Sequence, residues 1–93
     1  MSQLSRVHVI VSGVVQGVGY RYFACSEARH RGLTGWVRNR SDGAVELVAE
    51  GEDGLVREFV GELNRGPVSS DVSAVLVTAA AARAEFDTFD IRW

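Results

Sequence analysis

Between Val7 and Gly13 the chain alternates, Val7, Val9 and Val11 interleaving with His8, Ile10 and Ser12, and this period of two predicts a strand. Both of its faces carry apolar weight, so it is expected in the interior of a sheet. The period then changes. Tyr22 to Arg31 contains neither glycine nor proline, sets Phe23, Ala24 and Ala28 at helical neighbours, and closes on Arg29-His30-Arg31-Gly32. Basic residues followed by glycine mark a helix C-terminus. A second strand is predicted over Thr34 to Arg40, and Ser41-Asp42-Gly43 turns the chain into a third, Ala44 to Glu50, where Val45, Leu47 and Ala49 alternate with their neighbours. Asp-Gly between two alternating runs is a hairpin signal.

Glu52-Asp53-Gly54 opens a second helix whose Val56, Phe59, Val60 and Leu63 fall at i, i+3, i+4 and i+7, an amphipathic stripe that Gly66-Pro67 terminates. Two further strands are expected, Val72 to Ala79 and Phe86 to Trp93, with an alanine- and arginine-containing loop between them. The predicted order, strand-helix-strand-strand-helix-strand with one strand appended, is the split β-α-β pattern. It implies an α+β, ferredoxin-like sandwich with two helices on one face of a mostly antiparallel five-stranded sheet. No linker, repeat or low-complexity run divides the chain, so residues 1–93 are read as one domain.

Composition narrows the class without naming it. Hydrophobic residues at 46% and charged residues at 24% of the 93 fit a folded domain with a packed core and exclude disorder. A formal net charge of -2 argues against bulk attraction to nucleic acid or an anionic membrane. No apolar stretch is long enough to span a bilayer, and Met1 to Arg6 lacks the apolar core of an export signal. A cytoplasmic protein is expected. One cysteine and two histidines provide neither an internal disulfide nor ligands at zinc-binding spacing, so no metal or other cofactor is expected. Cys25 is read as a small, semi-buried helix residue.

The chemistry concentrates in Gly13-Val14-Val15-Gln16-Gly17-Val18-Gly19-Tyr20-Arg21. Glycines at 17 and 19 open backbone angles closed to other residues, so successive N–H groups can face one concavity, and the helix that follows adds unpaired donors and positive potential. Arg21 closes this cradle with a permanently charged planar fork suited to a phosphoryl group. A tight turn that merely needs small residues is the competing reading. No Gly-Lys-Ser/Thr follows and the glycine spacing is not Gly-x-Gly-x-x-Gly, which excludes the P-loop and the dinucleotide fingerprint.

The fold hosts many functions, but the alternatives leave other residues behind. His8, Ile10 and Ser12 stand where a single-stranded nucleic-acid reader needs stacking rings, and the Cys-x-x-Cys pair of a metal carrier is missing. A second block, Gly32-Leu33-Thr34-Gly35-Trp36-Val37-Arg38-Asn39, brings an uncharged amide to the end of the second strand. If that strand lies beside the one feeding the cradle, directly or one removed, Asn39 can face Arg21 across a common site. Its plainer role is to end a strand and support the turn that follows. The remaining polar clusters are read as structural: Arg29, His30 and Arg31 at a helix end facing solvent, and Glu50, Glu52 and Asp53 around the start of the second helix. Ser69-Ser70-Asp71 has no paired histidine and gives no serine-hydrolase site.

Gly13 to Arg21 resembles the first signature of the acylphosphatases, and Gly35-Trp36-Val37-Arg38-Asn39, followed by Gly43, Val45 and Gly51, resembles their second. Gly66-Pro67 with Ser69-Ser70, and Phe89-Asp90-Ile91-Arg92-Trp93, are similar to later segments, with Trp93 where a tyrosine is more usual. The resemblance implies hydrolysis of a carboxyl-phosphate anhydride to a carboxylate and inorganic phosphate, without metal or covalent intermediate. Arg21 would bind the phosphoryl oxygens, Asn39 would hold the attacking water, and the N–H groups of Val15, Gln16, Gly17, Val18, Gly19 and Tyr20 would line the cradle. The partner implied is a small acyl phosphate, met by a free-standing monomer. A non-catalytic module that binds phosphate or carboxylate is the alternative from a different class.

Overall fold

The computed structural model describes residues 3–93. The chain runs β1 (Leu4–Val14), α1 (Tyr20–His30), β2 (Thr34–Asn39), β3 (Val45–Glu52), α2 (Asp53–Arg65), β4 (Asp71–Ala80) and β5 (Phe89–Arg92). The five strands form one sheet in the order β4-β1-β3-β2-β5. All neighbours are antiparallel except β2 and β5, which run parallel. This is the ferredoxin-like α+β sandwich the periodicities predict, and β1 lies inside the sheet.

Strand alternation sorts the residues between two faces. Val7, Val9 and Val11 on β1, Val45, Leu47 and Ala49 on β3, and Val37 on β2 are buried together with Val56, Phe59 and Leu63 of α2 and Ala24, Cys25 and Ala28 of α1. Phe59 meets Phe89 edge-on at 5.9 Å between ring centroids. Both helices therefore cover the same face. Glu52 caps α2, its carboxylate accepting from the N–H groups of Gly54 at 3.0 Å and Leu55 at 3.2 Å. Asp53 in the first turn pairs with Arg57 at 2.9 Å.

The structure departs from the sequence expectations in four places. α1 begins at Tyr20 rather than Tyr22, because Gly19 at φ +81° is its N-cap and the Tyr20 ring is buried in the core. The Tyr20 hydroxyl donates to the Leu63 carbonyl at 2.7 Å, which ties the two helices together. β1 continues through Gly13 to Val14, with its pairing to β4 shifting between Ser12 and Gly13. A Cβ on Gly13 would sit 2.2 Å from the Asp71 carbonyl oxygen, so the strand passes this point only as glycine.

The third departure is at β5, which is confined to Phe89–Arg92. The preceding residues do not extend the strand; they cross the outer face of the sheet, where Glu50 holds them. Its carboxylate accepts from the N–H groups of Arg83 at 2.8 Å and Ala84 at 2.6 Å and lies 3.5 Å from the Arg6 guanidinium. Glu50 is thus 4% exposed on the outer face and takes no part in the start of α2. Finally, Arg29 and Arg31 are not simply solvated: Arg29 donates to the Phe89 carbonyl at 2.8 Å, and Arg31 pairs with Glu27 at 2.8 Å and Glu58 at 3.4 Å.

Burial works against the charged form of Glu50, but the two backbone N–H groups and Arg6 outweigh it and hold the carboxyl below its ordinary range. A depressed folded-state pKa contributes stability that is present above the unfolded value and is lost as pH falls through the folded one. Glu50→Gln is therefore expected to cost about 2 kcal/mol at neutral pH. Urea denaturation should show this deficit shrinking once the pH drops below the usual carboxylate range.

Candidate active site

The loop from Val15 to Gly19 links the end of β1 to α1, and its glycines serve conformation rather than space. Gly17 and Gly19 have φ of +75° and +81°, yet a Cβ on either would meet nothing within 4 Å. It is the left-handed backbone, not crowding, that demands glycine here. Gly19 offers no side chain to cap the helix, so the first-turn N–H groups of α1 remain available to a ligand.

A cavity of about 180 Å³ opens where this loop meets the end of β2, and it is lined by Val15, Gly17, Gly19, Tyr20, Arg21, Tyr22 and Asn39. Arg21 and Asn39, far apart in sequence, thus share one site. Asn39 reaches it because its cross-strand partner is Val45, a core position of β3, so both residues point to the helix-covered face. β2 lies one strand removed from β1, with β3 between them. Gln16 and Val18 are not among the residues lining the cavity. Val18 packs against the core, and Gln16 has a different use.

The Gln16 amide donates to the carbonyls of Arg40 at 2.7 Å and Ala44 at 2.9 Å. These flank the β2–β3 turn, so one side chain pins the glycine loop to the hairpin that begins just after Asn39. Nothing local in the sequence shows that the hairpin lies within reach of the Gln16 side chain. The second unforeseen contact is at Arg21, whose guanidinium carbon lies 4.3 Å from the centre of the Trp93 ring. A stacked arginine keeps its charge and loses little rotamer freedom on binding. Among the described residues Arg21 makes no ion pair, which leaves its charge for an anionic ligand.

Asn39 completes the arrangement. Its Oδ1 is buried and has no hydrogen-bond partner, an unmet acceptor that favours a donor such as water in the cavity. Among the described residues the lining holds no carboxylate, imidazole or thiol. Tyr20 turns its phenol into the core, where burial raises its pKa, and it offers the cavity its backbone. Cys25 is buried on α1 and burial pushes its thiol up as well, as fits a structural residue rather than a nucleophile. The arrangement of glycine loop, Arg21 and Asn39 suits an anion and a positioned water, and among the described residues the Tyr22 phenol is the only other titratable side chain that reaches the lining from outside the core.

The acylphosphatase family model matches residues 7–91. An acylphosphatase of Anaeromyxobacter sp. is 45% identical over 92 residues, covering 99% of this chain and 99% of that one. An acylphosphatase of Chlorobaculum tepidum is 50% identical over 72 residues, 77% of this chain and 78% of that one. Among solved structures, acylphosphatase from Bacillus subtilis superimposes with a TM-score of 0.92 at 41% identity, covering 98% of this chain and 100% of that one.

Proposed function

The chain belongs to the acylphosphatase family and is a hydrolase of that kind, and on this footing we propose that Arg21 and Asn39 carry out the reaction on an acyl phosphate. The observation that carries this reading is the shared cavity, in which an unpaired arginine and an unpartnered buried amide oxygen stand at a helix N-terminus. The phosphoryl group sits on the N–H groups of the glycine loop and the first turn of α1. Arg21 binds its equatorial oxygens and stabilises the charge that spreads over them as the bond to the leaving oxygen loosens. Asn39 accepts a hydrogen bond from water and holds it in line for attack on phosphorus.

The leaving group is a carboxylate, already good enough to depart without a general acid, a nucleophilic side chain or a metal. Positioning and charge stabilisation suffice. Asn39 has no titratable proton and orients the water without deprotonating it, so the proton passes to a phosphoryl oxygen of the substrate. A monomer in a cytoplasmic setting, with no nucleic-acid partner, completes this reading. No described helix is long and apolar enough to cross a membrane.

The test is release of phosphate from benzoyl phosphate by the purified chain with a chelator present. Turnover is expected, with inorganic phosphate as a competitive inhibitor. No turnover, or turnover restored only by added metal, would overturn the proposal.

A further inference from the structure

Beside the cradle lies a second, larger groove. Of the apolar side chains at the cradle, Val15 is fully buried and the Tyr20 ring lies in the core, which leaves the Tyr22 ring, 62% exposed, as the accessible surface there. Tyr22 also borders a larger open groove of about 760 Å³ running along the outer side of α1 towards β5. Facing it is Trp93, 83% exposed, with ring centroids 6.2 Å apart and planes inclined at 62°. The same indole carries the Arg21 guanidinium. Two exposed aromatic rings therefore stand together at the cradle's edge, one of them stacked on the arginine, and Ile91 continues the apolar wall.

The polar groups of the groove set what it accepts. Arg29 is committed, its Nε to the Phe89 carbonyl at 2.8 Å and its terminal nitrogen to Asp90 at 3.2 Å. Its charge is matched. His30, exposed at the end of α1, is the other basic side chain in the lining. A second anionic group on the acyl portion finds only the His30 imidazole here, whereas a flat or aliphatic acyl portion finds two rings.

We propose that the Tyr22–Trp93 groove is the acyl subsite and that it selects acyl phosphates with an aromatic or otherwise apolar acyl group over those whose acyl group is small or anionic. This rests on the cradle holding the phosphoryl group. Tyr22 is then a specificity-determining residue, while the bond-breaking chemistry stays with Arg21 and Asn39.

The test compares kcat/KM for benzoyl, acetyl and succinyl phosphate in the unmodified chain, Tyr22→Ala and Tyr22→Phe. Because benzoyl and acetyl phosphate differ in intrinsic reactivity, the informative quantity is the change in their ratio on mutation. The benzoyl-to-acetyl ratio is expected to fall about three- to tenfold in Tyr22→Ala, mainly through KM, and to survive in Tyr22→Phe, which keeps the ring. The unmodified chain is expected to favour benzoyl over succinyl phosphate. An unchanged ratio in Tyr22→Ala, or a preference for succinyl phosphate, would overturn the acyl subsite while leaving the hydrolase intact. Failure of the unmodified chain on all three substrates would instead remove the reading on which the subsite rests, and the subsite with it.

Discussion

Arg21→Ala is expected to reduce acyl phosphate hydrolysis by roughly 10³-fold or more, effectively to background, and to weaken binding of inorganic phosphate in the same protein. Both effects follow from one position. Among the described residues the guanidinium is the only cation lining the cradle, and in the proposed mechanism it meets the phosphoryl oxygens in the ground state and again as charge builds on them in the transition state. Arg21→Lys should recover part of the binding but little of the rate, since a point charge cannot reproduce the planar fork or the stack on Trp93. Steady-state kinetics paired with calorimetric titration of phosphate would check this. An Arg21→Ala protein that turned over normally would remove the arginine from the mechanism.

Asn39→Ala is expected to behave differently, losing about 10²-fold or more in kcat while phosphate affinity stays nearly intact. The amide has no charge to offer the phosphoryl group; its buried, unpartnered Oδ1 is suited to a water that matters only when the bond is being made. The cradle and Arg21 persist in the variant, so the product still binds. Stability should change little, because the side-chain oxygen has no protein partner to lose. A variant with full turnover, or one whose phosphate affinity fell in step with its rate, would remove the water-positioning role.

Much of this arrangement is legible before any coordinates. The stripe of Val56, Phe59, Val60 and Leu63 specifies α2 through local periodicity alone, and it forms with three of the four buried and Val60 at the margin. The glycines at 17 and 19 are equally local, since their role is a backbone angle that each residue adopts by itself. Asn39 depended on a longer step, namely that β2 lies within reach of the cradle.

What sequence did not reveal was set by contacts distant along the chain. A strand is expected over Phe86 to Trp93, but the Glu50 carboxylate, more than thirty positions earlier, captures the N–H groups of Arg83 and Ala84 and draws the preceding segment across the outer face. Trp93 comes to Arg21 because β5 runs parallel to β2, with Arg92 beside Arg38, which carries the next residue of each strand towards the cradle. No periodicity encodes that pairing. The Gln16 side chain belongs to the same group, its two acceptors lying across the β2–β3 turn.

In the proposed mechanism water held at Asn39 attacks the phosphorus atom bound by Arg21 and the glycine loop. Hydrolysis of benzoyl phosphate in ¹⁸O-water, with mass analysis of both products after a single turnover, tests it most directly. One solvent oxygen is expected in the inorganic phosphate and none in the benzoate. Label in the benzoate would place the attack on the carbonyl carbon and contradict it.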